Sequence, residues 1–272
     1  MKCADLHIHS NFSDGTLTPE EIVKMAEIKG IKSISITDHD CISSQYIKEK
    51  VNKINIISGI EISSEINELD IHILGYFINY KDENLINVVN KLKEDRIKRV
   101  KEILFKLKKE NIFIEIEDLD VKGTSSIGRS HIAKAMVEKG YFNNYKSAFT
   151  NYLVQGKPAF VKGHKLDYKS TIEVITRSGG IAVLAHPGQV YKNLEIEYLV
   201  RELKCFGLEG LEVYHPSHDI EQTNKFYNLA KKYKLLITGG SDYHGKDCYN
   251  EKLIGSYGIN EKLLNKLLMY NK

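Results

Sequence analysis

Ten histidines stand in this chain of 272 residues, and most of them close a short run of β-branched or aliphatic residues. That placement limits the possible folds more than any other feature. Apolar runs too short for free-standing helices recur at residues 4–7, 33–37, 55–58, 70–76, 180–185, 208–214 and 235–239. Helix patterns lie between them, over 43–52, 168–177, 194–205, 219–233 and 260–270. The clearest helix begins Thr18-Pro19-Glu20-Glu21, where Thr18 caps, Pro19 suits the first position and Glu21 completes a capping box. Strand–helix alternation implies parallel strands with helical crossovers. About seven strands point to an α/β fold of the distorted (β/α)7 barrel kind, with its chemistry at the carboxyl ends of the strands.

The rhythm breaks between residue 83 and about residue 165. A long helical pattern over 85–109 carries nine basic residues, and further helix patterns follow at 130–139 and 145–153, after a stretch at 123–128. Residues 1–110 and 166–272 therefore read as the barrel, and 111–165 as a helical insertion, or cap, beside its mouth. The basic residues alternate with Glu94, Asp95, Glu102 and Glu110, which favours a solvated amphipathic face over an RNA-tracking surface. The formal net charge of +3 is too small to argue for nucleic acid. No stretch approaches the ~18 apolar residues of a membrane span, and the opening MKCADLHIHS lacks the apolar core of an export signal. Cys3, Cys41, Cys205 and Cys248 are scattered, without a CxxC pair, so a cytoplasmic setting is expected and a cysteine zinc site is not.

In Asp5-Leu6-His7-Ile8-His9-Ser10, strand alternation puts His7 and His9 on one face, where two imidazoles can grip one ion. Alone, that spacing is weak. The second run leads into Asp38-His39-Asp40, the third into Gly59-Ile60-Glu61, and the fourth contains Asp70-Ile71-His72. The fifth ends at Ala185-His186-Pro187, the sixth at Tyr214-His215-Pro216, and the seventh at Ser241-Asp242-Tyr243-His244, while Asp14 follows the first. Any one of these could be a hydrogen-bonded strand cap. Together they would bury many titratable groups with nothing to offset desolvation. Divalent metal ions offset it, and imidazole with carboxylate, without thiolate, suits Zn, Mn or Fe(II).

In this order, D-L-H-x-H-S, T-D-H-D, G-x-E, a strand histidine, A-H-P and S-D-x-H resemble the PHP (polymerase and histidinol phosphatase) superfamily of metal-dependent phosphoesterases, from Asp5 to His244. The phrases G-R-S-H-I-A, G-K-P-A-F-V, L-E-V-Y-H-P and S-D-Y-H-G resemble one subfamily of it. That subfamily includes bacterial 3′,5′-nucleoside bisphosphate phosphatases, also described as 5′-to-3′ exoribonucleases of the RNase AM type. The resemblance implies a distorted seven-stranded barrel and a trinuclear metal site, with Mn first and Fe or Zn as alternatives. It implies one ion on His7, His9, Glu61 and Asp242, a second on Glu61 as bridge with His72 and His186, and a third on Asp14, His39 and His244. Many relatives carry histidine where Asp14 stands; the subfamily carries aspartate. Asp5, Asp38 and Asp40 read as partners orienting the imidazoles.

The expected reaction is hydrolysis of a phosphomonoester by metal-activated hydroxide. The substrates that the resemblance implies are the 3′-phosphate of a nucleoside 3′,5′-bisphosphate and short RNA 5′ ends, with no membrane and no obligate protein partner expected. No G-x-S-x-G elbow or Cys/His pair offers a covalent route. A second phosphate needs its own anchor. Arg129 comes first, because a guanidinium grips phosphate bidentately, with help from a helix starting near Ser130. Lys157 and His215 are further candidates, and His215 is alternatively the proton donor to the leaving oxygen. His131, His164 and His218 receive no role. Three rival readings stay open: a PHP phosphatase for histidinol phosphate or a cyclic phosphodiester, a non-catalytic PHP domain serving another protein, and a hydrolase of C–N bonds.

Overall fold

The structure is a computed structural model that describes residues 3–119, 126–190, 195–245 and 254–270. Cys248, residues 123–125 of the stretch 123–128 and the expected helix start at 194 lie outside these residues. In chain order the strands are β1 (Ala4–Ile8), β2 (Ser33–Ile36), β3 (Asn55–Ile56), β4 (Gly59–Ile66), β5 (Leu69–Tyr76), β6 (Leu166–Asp167), β7 (Ile181–Leu184), β8 (Leu208–Tyr214) and β9 (Leu236–Gly239). They form one sheet ordered β1-β2-β3 and another ordered β6-β4-β5-β7-β8-β9. Two parallel bridges join the sheets, His39 to Glu61 and Ile8 to Tyr243. Seven strands, β1-β2-β4-β5-β7-β8-β9, thereby follow one another and return to β1.

Two expectations need correcting. The run at 55–58 is only a two-residue strand, and Glu61 lies third in the separate eight-residue strand β4. The alternation of Ile60, Ile62 and Ile66 with Glu61, Ser63 and Glu65 marks that strand, but reading Glu61 as the end of the preceding run hides it. The strands are also not all parallel, because β5 runs antiparallel to both β4 and β7. Asn67 and Glu68, at φ 48° and 65°, make the tight two-residue turn that folds β5 back on β4. A helical crossover would need a dozen or more residues.

Local signals hold well in the helices. At Pro19–Ile28 the Thr18 Oγ1 accepts from Glu21 N–H, and the Thr18 N–H donates to Glu21 Oε2 at 2.8 Å. Its Ile22, Val23 and Ala26 pack on Ile8, Ile34 and Ile36 of β1 and β2, each fully buried Ile contributing about 1.5–3 kcal/mol. Helix Glu83–Lys109 is shared between two cores. Leu85, Val89 and Leu92 pack with Ile60, Ile62, Ile71 and Ile73 of the strands. Farther along, Val100, Ile103 and Leu107 join Ile112, Ile114, Ile132, Met136 and Leu153 in a separate cluster within the insertion. Among the described residues, no helix is long and apolar enough to cross a membrane.

Candidate metal centre

Strand ends bring the titratable groups together. His7 lies in β1 and His9 just beyond it; His39 follows β2, His186 follows β7, His215 follows β8, and Asp242 and His244 follow β9. Glu61 comes from inside β4, and His72 from the first half of the reversed strand β5. Two of these residues, His186 at 25° and Asp242 at 50°, and Asp40 beside His39, at 48°, have positive φ, a conformation side chains rarely adopt. Each is pinned through its own N–H. Asp40 donates to Glu61 O (2.8 Å), His186 to Glu212 Oε2 (2.7 Å) and Asp242 to His7 O (2.8 Å).

Glu61 is fully buried at the centre. Its Oε1 lies 2.8 Å from His72 Nδ1 and 2.9 Å from His186 Nε2. Its Oε2 lies 3.2 Å from both His7 Nε2 and His9 Nε2, and 3.0 Å from His39 Nδ1. One carboxylate thus faces two sets of imidazoles. Asp242 Oδ1 closes the first set, 3.2 Å from His9 Nε2 and 3.5 Å from His7 Nε2. Beside them His9, Asp14, His39 and His244 bring one ligand atom each within 4.8 Å of one another.

These separations can be tested against an ion. Donors about 2.1 Å from one cation stand roughly 3.0–3.4 Å apart in octahedral to tetrahedral arrangements, which matches the His7, His9, Glu61 and Asp242 atoms. Two buried imidazole nitrogens in the cluster, His9 Nδ1 and His39 Nδ1, make no hydrogen bond although carboxylates lie near. Burial pushes the Glu61, Asp14 and Asp242 carboxyls up, yet surrounding imidazoles outweigh it and hold all three well below the usual carboxylate range. Burial pulls His39 down to about 3, so its ring is neutral and one nitrogen has a lone pair to offer. The cluster is built to receive positive charge, and divalent cations fit it.

The tautomers are set by the outer partners. Glu212, fully buried on β8, meets His7 Nδ1 at 3.0 Å; a carboxylate can only accept, so Nδ1 carries the proton and Nε2 faces Glu61. Sequence reasoning passed over Glu212, one of two glutamates in the strand Leu208–Tyr214, which local pattern does not tell apart from Glu209. His244 Nδ1 likewise meets the Asp242 carbonyl at 2.9 Å, leaving Nε2 for Asp14 at 3.2 Å. His215 is opposite. Its Nδ1 accepts from Ser217 N–H at 3.1 Å, so Nε2 bears the proton that points to Asp242 Oδ2, 3.2 Å away.

Asp5, Asp38 and Asp40 do not orient imidazoles as expected. Asp5 accepts from the backbone of Ser241 and Gly255. Asp38 accepts from Ser10 N–H, Ser10 Oγ and Ser13 Oγ, which clamps the loop before Asp14. Asp40 is paired with Arg96, whose Nε donates to Oδ2 at 2.8 Å. The face of helix Glu83–Lys109 read as solvated therefore turns some of its cations inward. Arg99 donates to the Val161 carbonyl, and Lys106 to the Phe160 carbonyl.

Arg129 opens helix Arg129–Glu138, donates to the Leu153 carbonyl at 3.1 Å and lies over the Phe149 ring. Next to it in that helix, Ser130 Oγ donates to Asp14 Oδ2 at 3.2 Å, tying the insertion to the cluster. Lys157 is exposed on the turn after Phe149–Leu153. His131 Nδ1 accepts from Gly128 N–H, and His218 bridges Gly188 N–H and the Val213 carbonyl, so both serve the backbone.

Known proteins of several names resemble this chain, among them a phosphoribosyl 1,2-cyclic phosphate 1,2-diphosphodiesterase of Eggerthella lenta, 29% identical over 250 residues and covering 89% of this chain and 94% of that protein. The family described as PHP domain matches residues 5–154. A 5′-3′ exoribonuclease of Haemophilus influenzae is 33% identical over 244 residues, covering 88% of this chain and 89% of that protein. A 3′,5′-nucleoside bisphosphate phosphatase of Chromobacterium violaceum is 29% identical over 250 residues, covering 90% and 88%. Among solved structures, an amidohydrolase from Chromobacterium violaceum with bound sulfate and no metal superposes with a TM-score of 0.88 at 26% identity, covering 99% of this chain and 96% of that one.

Proposed function

Since this chain belongs to the PHP domain family, we propose that it is a metal-dependent phosphoesterase that removes the 3′-phosphate of nucleoside 3′,5′-bisphosphates in the cytoplasm, and that it also acts on short RNA 5′ ends. Relatives named for those two activities support the choice of substrate. The observation that carries the site assignment is the convergence of His7 Nε2, His9 Nε2, Glu61 Oε2 and Asp242 Oδ1. In this proposal those four hold one ion, Glu61 with His72 and His186 holds a second, and Asp14, His39 and His244 hold a third. Manganese is the first choice, with Fe or Zn suited by the same donors. When bound, such ions lower the pKa of water from about 15.7 towards ~7 and neutralise phosphoryl oxygens.

The chain's own residues supply the rest. His215, whose Nε2–H points to Asp242, is placed to donate a hydrogen bond to the leaving oxygen, and would transfer a proton there only as the imidazolium, once Nδ1 exchanges the Ser217 N–H for a proton. The second phosphate finds a half-buried cluster in which Arg96, Arg99 and Arg129 outnumber the carboxylate beside Arg99 and Arg129, Asp70. Burial, with Arg129 and Arg96 nearby, draws Arg99 down to about 10, and an anion relieves that repulsion. Arg129 and Arg99 are therefore the phosphate anchors of the proposal, ahead of the exposed Lys157. The insertion, 111–165 with the end of the preceding helix, acts as the cap that carries Arg129 over the cluster.

The test is phosphate release from adenosine 3′,5′-bisphosphate by Mn-reconstituted and chelated protein, with 5′-AMP as control substrate and 5′-AMP as the expected product. Asp242→Ala should lower metal content and phosphate release together, the latter more than ~100-fold. Full activity in D242A would sink the proposal. Preference for histidinol phosphate in the same assay would move the reading to that rival.

A further inference from the structure

A cavity lies apart from the metal centre. It measures about 620 Å³, sits between helix Ile220–Lys232, helix Glu261–Tyr270 and β9, and shares no lining residue with the metal-ligating groups. Its two walls are built alike. Tyr227 and Lys231, four apart, share one face of the first helix, and Lys262, Lys266 and Tyr270, at intervals of four, share one face of the second. Lys234 stands just beyond the first helix. The floor is apolar, with Ala230, Leu235, Ile237 and Leu263.

Charge makes the cavity unusual. The neighbouring Lys232 and Lys32 are neutralised by Glu197 and Glu261, at 2.6 and 2.8 Å. Among the described residues, Lys231, Lys234, Lys262 and Lys266 form no ion pair, and so leave four cations around a hollow where the Glu209 carboxylate is engaged by the Tyr270 hydroxyl. Their mutual repulsion falls when an anion enters. Phosphate alone would leave the floor and the tyrosines unused. A flat ring on the tyrosines, with phosphate between the lysine walls, uses both, as stacking on aromatic side chains does for any base. A volume of this size is ordinary for a small-molecule site.

We propose that this cavity binds a free nucleoside monophosphate at a site distinct from the metal centre. The choice of nucleotide as the natural anion rests on the proposed function, but the cavity's preference for a ring-bearing phosphate does not. The occupant we favour is a released mononucleotide, since the open hollow has room for one and exposed lysines flank it on both helices.

Titration calorimetry of chelated protein with 5′-AMP tests this. Lys262→Glu with Lys266→Glu on one wall, and Lys231→Glu with Lys234→Glu on the other, should each weaken binding by about ten-fold or more. Tyr227→Ala should weaken 5′-AMP while leaving inorganic phosphate unchanged. Thermal melting checks that each variant folds, and the two double variants lie on separate helices, so misfolding of one leaves the other as a test. Affinity for 5′-AMP that survives in a folded double variant overturns the inference. So does inorganic phosphate binding as tightly as 5′-AMP. A 5′-phosphorylated tetranucleotide that binds far tighter than 5′-AMP, and loses that advantage in the variants, overturns the single-nucleotide assignment in favour of a strand. Phosphate release from adenosine 3′,5′-bisphosphate should stay within about two-fold of wild type in both double variants. If the wild type releases none, the proposed function fails while the titration still decides the cavity.

Discussion

Glu212 shows how much of the centre's chemistry rests on a residue that need touch no metal. It fixes the proton on His7 Nδ1 and accepts the N–H of His186, whose φ of 25° needs that anchor. Burial raises the Glu212 carboxyl, but His7 and its hydrogen bond outweigh this and keep it below its usual range, so it is charged at neutral pH. Glu212→Gln keeps the shape and removes the charge. We expect a 10–100-fold loss in metal affinity, read by metal analysis after dialysis, with an unchanged circular dichroism spectrum. Unaltered affinity would show that the charge is dispensable. His7 and His9 were legible as a pair because strand alternation is local. Glu212 was not, because its partner lies 205 residues away.

At the scale of elements, helix Glu83–Lys109 ties the two cores together and closes over the cluster's edge. Its Arg96 reaches Asp40, which is buried and also accepts from Ser63 N–H at 2.8 Å. Arg96→Met would leave that carboxylate without its cation. A buried pair broken on one side costs about 3–5 kcal/mol, so urea unfolding should show a loss of that order. Adding Asp40→Asn should recover part of it, the mark of a coupled pair. The sequence of this helix could not reveal the pairing. Its mixture of Lys, Arg and Glu matches a solvated face, and long cationic side chains cover buried surface while keeping that pattern. Only the position of the Asp40 loop distinguishes Arg96 from its neighbours. The β4–β5 hairpin is the opposite case: Asn67 and Glu68 sit between two alternating runs, a signal present in the sequence but weaker than a glycine would give.

The whole molecule depends on closing the circuit between β9 and β1. Asp242 N–H donates to His7 O and His9 N–H to Tyr243 O, so the two segments that deliver His7, His9 and Asp242 are hydrogen-bonded to each other. Gly240 permits the approach: a Cβ there would lie 2.3 Å from His7 Cβ and 2.4 Å from His7 N. Gly240→Ala must push the segments apart. We expect overpacking of about 1–3 kcal/mol, seen as a lower melting temperature, together with weaker metal retention; an unchanged melting temperature and metal content would show that the ends of β1 and β9 can part without consequence. By itself the sequence determined which segments are helices, most of the strands, and the kinds of donor at their ends, because periodicity, caps and turn residues act over a few positions. The tertiary structure decided that β5 runs backwards, that Glu61 faces two sets of imidazoles, that Arg96 turns inward, and which histidines stand within reach of one another. Those outcomes follow from strand closure and contacts between distant segments, for which local spacing carries no signal.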